Sequence, residues 1–154
     1  MPNWCRNRVT ISSNNYDDDS QFKELVKKFK SDRPFNSILP QPDWKNIKNE
    51  DGELPVTREQ KNQDGEVIFT TSEFPKSGKN DDRWYDWANT YWGTKWDIHD
   101  IEVDEDEEYA EFEFETAWCP AEGIFNKIRQ DYPDVAISWF YDEPGCELAG
   151  YLPN

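Results

Sequence analysis

Basic residues, cysteine and histidine are scarce in this chain, and each scarcity removes a class of function. Seventeen Lys plus Arg face 33 Asp plus Glu, a formal net charge of −16. A nucleic-acid backbone is held mainly by clustered Lys and Arg, so direct nucleic-acid binding is disfavoured unless one face is strongly segregated by sign. The same field repels anionic membranes and favours a basic protein as partner. Only Cys5, Cys119 and Cys146 carry thiols. They are odd in number and far apart, with no CxxC spacing, which argues against a disulfide framework or a zinc module. The chain opens without an apolar signal region, and no apolar run approaches the ~20 residues of a membrane helix. The expected compartment is the cytoplasm, with thiols reduced.

Aromatic residues are abundant instead. Trp, Tyr and Phe make up 16% of a chain that is 35% hydrophobic, with a mean hydropathy of −1.07. Such polarity leans towards disorder, but large rings can build a core where aliphatic residues are few. At 154 residues the expectation is one domain.

Periodicity predicts the elements. Trp4 to Ser12 alternates as a first strand, and Phe22, Leu25, Val26 and Phe29 fall on one face of a helix from Asp18 to Lys30. Phe35 to Leu39 reads as a short strand or extended segment, ended by Pro40-Gln41-Pro42. Residues 43–82 form a polar excursion, an insertion or a partly mobile loop. Within it Asp64-Gly65 suggests a hairpin that pairs Leu54 to Arg58 with Glu66 to Thr71. Arg83 to Trp92 reads as a helix capped by Gly93. Trp96 to Val103 and Tyr109 to Thr116 read as strands joined by an acidic turn. In the second, Ala110, Phe112 and Phe114 alternate with Glu111, Glu113 and Glu115. A helix from Pro120 to Tyr132 follows, with Pro120 as its first residue, then a strand over Val135 to Tyr141, apolar on both faces and therefore central, and a short last strand within Cys146 to Tyr151. Without the excursion this order is the split β-α-β-β-α-β plan of a ferredoxin-like α+β sandwich, with an antiparallel sheet and helices on one face.

Four segments carry a resemblance: Met1-Pro2-Asn3-Trp4-Cys5-Arg6-Asn7, Phe35-Asn36-Ser37-Ile38-Leu39-Pro40-Gln41-Pro42, Trp92-Gly93-Thr94-Lys95-Trp96-Asp97, and Phe114-Glu115-Thr116-Ala117-Trp118-Cys119-Pro120. In that order they resemble the YubB-type ferredoxin-like family of plasmids and phages. The resemblance implies a ferredoxin-like fold and a mobile-element origin. It supplies no activity, since that family is one of unknown biochemical function. One departure is Ala121, where members of that family often carry proline.

Trp92, Lys95 and Trp96 could form an aromatic and basic platform for a ring, or simply fill and cover the edge of a core. Cys119, before a helix, could be an activated nucleophile with His99 as its base and Asp97 or Asp100 orienting it, although a buried Cys usually packs as a small hydrophobe. No catalytic constellation is assigned on this basis. The run Asp100, Glu102, Asp104, Glu105, Asp106, Glu107, Glu108 suits calcium in ligand type but lacks the loop glycine and ligand order that an EF-hand needs. No metal and no cofactor are assigned.

The acidic strand bears on function most directly. Glu111, Glu113 and Glu115 share a face at ~6.7 Å intervals, and with Asp104, Asp106 and Glu108 they are the candidate partner-binding residues. The expected function is that of a small acidic accessory binding protein, a DNA-mimic-like decoy for a basic host protein. The alternative is a single-stranded nucleic-acid or nucleotide binder using the open sheet face, for which the aromatic residues lack basic neighbours. Sequence does not fix the oligomeric state.

Overall fold

The computed structural model describes residues 3–153, so Met1, Pro2 and Asn154 lie outside it, and with them the first two residues of the Met1-Pro2-Asn3-Trp4 segment. In chain order the elements begin with β1 (Trp4–Ser13), α1 (Ser20–Phe29), α2 (Pro34–Ile38), β2 (Val56–Lys61), β3 (Val67–Phe74) and β4 (Lys79–Asn80). They continue with α3 (Arg83–Tyr91), β5 (Glu102–Glu105), β6 (Tyr109–Ala117), α4 (Glu122–Asp131), β7 (Val135–Glu143) and β8 (Leu148–Tyr151). Two compact units result: Met1–Pro40 with Trp87–Asn154, and Gln41–Asp86. Among the described residues no helix is long and apolar enough to cross a membrane.

The larger unit holds a five-stranded antiparallel sheet in the order β5-β6-β1-β7-β8. Its first four strands in that order are the second, third, first and fourth of the split plan, so the fold is ferredoxin-like. Alternation decides which side each residue takes. Cys5, Asn7, Val9 and Ile11 of β1 and Ala110, Phe112, Phe114 and Thr116 of β6 are buried. Their neighbours Arg6, Arg8, Glu113 and Glu115 are exposed.

The core confirms that rings do the work of missing aliphatics. Phe29 of α1 stacks on Phe112 at 4.6 Å between centroids, and Trp139 of β7 meets Phe114 edge-on at 5.7 Å. Each fully buried ring of this kind contributes about 2 kcal/mol by removal from water. Asn7, an amide buried inside the sheet, is satisfied. Asn7 donates through Nδ2 to the Thr116 hydroxyl at 2.9 Å and accepts from the Trp139 indole N–H at 2.9 Å, as a buried amide must to avoid its desolvation cost.

Four local expectations are corrected. Phe35 to Leu39 is not extended but lies largely within α2, which Pro34 starts and whose first N–H groups are capped from a distant segment: Asp97 accepts from Phe35 at 2.8 Å and Asn36 at 3.0 Å. The helix after Pro120 begins only at Glu122, with Ala121 at the cap position, because the chain first turns through Trp118 (φ +71°) and Cys119, whose N–H returns to the Ala117 carbonyl at 2.9 Å. Of the strand expected over Trp96 to Val103, only Glu102 and Val103 pair, and the strand continues to Glu105, into the expected acidic turn; Asp100 at φ +53° breaks the extended path before it. Finally, the middle strand is β1, and β7 stands between it and β8.

The smaller unit contains the three-stranded sheet β2-β3-β4, and the expected hairpin forms as β2 against β3. Arg83 organises this unit. Its Nε and Nη2 donate to the two Asp81 oxygens at 2.8 and 2.9 Å, Nη2 also reaches the Trp44 carbonyl at 3.0 Å, and the guanidinium lies over the Trp44 and Phe74 rings. The paired guanidinium, more than anything else, holds the Asp81 carboxyl below its usual range.

Candidate functional site

The side of the sheet opposite the core carries an open concavity of about 910 Å³, lined among others by Trp4, Arg6, Arg8, Trp96, His99 and Glu113. Its chemistry follows from register. On β6, Glu111, Glu113 and Glu115 stand opposite Thr10, Arg8 and Arg6 of β1. On the other flank, Glu113 is opposite Glu102 and Glu111 is opposite Asp104. Arg6 is in turn opposite Asp142, and Arg8 opposite Phe140, on β7. The face therefore has an acidic half on β5 and β6, a pair of arginines on β1, and a mixed margin on β7.

The arginines neutralise only part of the acid. Arg6 Nη2 is 3.5 Å from Asp142 Oδ2, and Arg8 Nε is 3.7 Å from Glu111 Oε1 while its guanidinium sits 5.3 Å from the Phe140 ring centre. Among the described residues, the side chains of Glu102, Glu113 and Glu115 have neither an ion pair nor a hydrogen bond. The uncompensated charge is felt locally. The Tyr109 phenol is raised above its ordinary range, first by the charge on Asp104 and then by burial, Asp106 and Glu111.

The acidic run is not one surface. Asp104 faces the open side with Glu111. Asp106 is the turn-maker: its Oδ1 accepts from the N–H groups of Glu108 at 2.7 Å and Tyr109 at 2.9 Å, which leaves Glu108 at an exposed turn. Glu105 pairs with Lys30, the residue that caps the end of α1. No group of three or more His, Cys, Asp or Glu side chains among the described residues is placed to hold a metal ion.

The aromatic and basic candidates separate. Trp92 is 1% exposed and its indole donates to the Leu39 carbonyl at 2.8 Å, so it belongs to the core and offers no ring face. Trp96 lines the concavity, 6.0 Å from Trp4, with the Lys95 ammonium 4.1 Å from its ring centre. The rest of the two most distinctive segments is bracing. Thr94 donates to the Ala117 carbonyl at 3.0 Å, Thr116 to the Cys119 carbonyl at 2.6 Å, and the Cys119 thiol to the Gly93 carbonyl at 2.9 Å. Asp97 caps α2, as described.

Cys119 and His99 are not joined by the site. His99 lines the concavity, and Cys119 is not among its lining residues. Burial first, and then the charge of Glu122, raise the Cys119 thiol above its ordinary value, the reverse of what an activated nucleophile needs. Sequence reasoning missed Trp4, Arg6, Glu102, Phe140 and Asp142 as face residues. For Arg6 and Arg8 the signal was present in the alternation with Val9 and Ile11. What was hidden is that β1 lies beside β6.

Residues 91–153, less than half of the chain, match the family model described as "Ferredoxin-like domain in Api92-like protein". That stretch runs from the end of α3 through β8, and so includes the whole of β5 and β6. No curated protein and no solved structure matches the chain. Over residues 91–153 the chain is thus similar to the ferredoxin-like domain of Api92-like proteins.

Proposed function

We propose that the chain is a small accessory binding protein of a plasmid or phage, acting in the host cytoplasm, whose open sheet face takes a basic host protein and competes with nucleic acid for it. The observation that carries this reading is the set of carboxylates Glu102, Glu113 and Glu115, solvent-facing and without counterions on a regular scaffold. A regular row of unneutralised carboxylates raises the local concentration of cations and steers a basic partner onto the face. The net charge of −16 acts in the same direction, and so does the resemblance to the YubB-type family for the setting. Binding without catalysis accords with the raised thiol of Cys119.

A second reading, single-stranded nucleic-acid binding, is favoured by one arrangement: Arg6 and Arg8 share the face with exposed Trp4 and with Phe140, the elements of a stacking surface. One titration separates the two. Trp4 and Trp96 report on the face by fluorescence, first with a lysine- and arginine-rich peptide and then with oligothymidylate. The expected result is peptide binding that weakens steeply with salt and is lost in the Glu102→Gln, Glu113→Gln, Glu115→Gln triple variant, together with displacement of duplex DNA from a basic DNA-binding domain. Oligothymidylate binding that disappears with Arg6→Ala and Arg8→Ala would replace this reading by the second.

A further inference from the structure

Directly opposed like charges on neighbouring strands destabilise a sheet, and this face has them twice, Glu102 against Glu113 and Asp104 against Glu111. Only the second is relieved from within. Arg8 approaches Glu111, at 3.7 Å. The pair Glu102 and Glu113 makes no salt bridge among the described residues, because Arg8, which stands directly across from Glu113 on β1, is turned to Glu111 and the Phe140 ring instead. A fold that carries an opposed pair of free carboxylates over an open concavity breaks a local rule of sheet construction, and such breaches concentrate where a ligand supplies the compensation.

Resting on the reading above, the geometry points to the form of the partner: an extended segment with Lys or Arg at alternate positions, laid lengthwise over β5 and β6, so that one cationic side chain enters between Glu102 and Glu113 and the next reaches Glu115. Three observations define it. First, pitch: side chains at alternate positions of an extended peptide recur every ~6.7 Å, the interval of Glu111, Glu113 and Glu115 along β6. Second, length: that row spans about 13 Å, which matches about five extended residues and is far short of the groove of a duplex-binding protein. Third, the end of the row: Arg6 and Trp4 follow each other outward from Glu115 along β1, and the Trp4 and Trp96 rings form a wall there that already carries the Lys95 ammonium, so the run of sites open to a cation stops at Glu115 and the wall suits an uncharged, apolar residue of the segment. A flexible basic arm of a nucleic-acid-binding protein has this composition. A second copy of the chain does not meet the requirement, since its own field repels it.

The test compares two peptides of equal composition, one with lysines at alternate positions and one with the same lysines in a block, by Trp fluorescence and calorimetry at fixed salt. The alternating peptide is expected to bind at least tenfold tighter. Glu102→Gln is expected to abolish most of that preference while raising Tm, since it removes one of two opposed charges. Equal affinity for the two peptides overturns the extended-segment inference and leaves the basic-partner reading standing. Failure of both peptides to bind overturns the inference and the basic-partner reading together. A Glu102→Gln variant with a lower Tm and unchanged preference shows that the carboxylate pair serves the fold alone, and also overturns the inference.

Discussion

Gly123 lies so close to Tyr91 that a methyl group on its α-carbon would stand 1.8 Å from the Tyr91 carbonyl oxygen. The Gly123 N–H donates to the Trp92 carbonyl at 3.1 Å, so the first turn of α4 meets the end of α3 backbone to backbone. The atoms in the way are main-chain atoms, which cannot swing aside. Gly123→Ala is therefore expected to cost about 3 kcal/mol, although alanine is the better helix former. Urea unfolding of the variant checks this, and a cost below the helix-propensity gain would mean that the two helices can part without penalty.

Asp97 ties the segment after α3 to the start of α2. Its Oδ1 accepts from Phe35 and from its own neighbour Ile98, both at 2.8 Å, and its Oδ2 accepts from Asn36. Asp97→Ala leaves those N–H groups without acceptors and is expected to lower stability by about 2 kcal/mol. Faster amide exchange at Phe35 and Asn36, ahead of β1, would locate the loss at the cap.

In the smaller unit the Asp81 carboxyl titrates below its ordinary value because Arg83 hydrogen-bonds its charged form. With the folded pKa depressed, the stabilisation is fully present above the unfolded pKa of about 3.9 and is lost as pH falls through the lower folded value. Amide exchange in residues 41–86 should accelerate over that acid range in the parent chain. Arg83→Ala should remove about 2 kcal/mol at neutral pH and flatten the acid response. An unchanged acid profile in the variant would assign the pH dependence to other groups.

None of the three thiols is set up as a nucleophile. Cys5 is pushed up to about 11, chiefly by burial, Cys119 is raised by burial, and Cys146 is raised by its hydrogen bond to Glu143. Iodoacetamide at pH 7 should modify each of them more slowly than it modifies free cysteine. Rapid, selective alkylation of Cys119 would restore the catalytic alternative.

How far the fold could be read from sequence depended on how local each determinant is. The alternation of Ala110, Phe112 and Phe114 with Glu111, Glu113 and Glu115 is a property of one strand, and the structure keeps it residue for residue. The helical state of Phe35 is not local, because its cap comes from Asp97, and nothing near Phe35 announces that. The position of Trp92 was ambiguous for a related reason: spacing puts it on a helix, but only the Leu39 carbonyl decides that its indole points inward. The acidic half of the candidate face was visible as a row. Its second row on β5 comes from the local hairpin that sets Glu102 against Glu113, whereas its arginine border depends on β1 lying beside β6, which pairs residues about a hundred positions apart.

The Trp92-Gly93-Thr94-Lys95-Trp96-Asp97 and Thr116-Ala117-Trp118-Cys119-Pro120 segments grip each other through main-chain carbonyls, and Asp97 at the end of the first caps α2. Any chain that keeps these two signatures inherits a chassis and no instruction about cargo. None of these contacts uses an outward side chain of β5 or β6 or the arginines of β1, so if the open face docks a partner as proposed, its outward letters can change while the chassis stays.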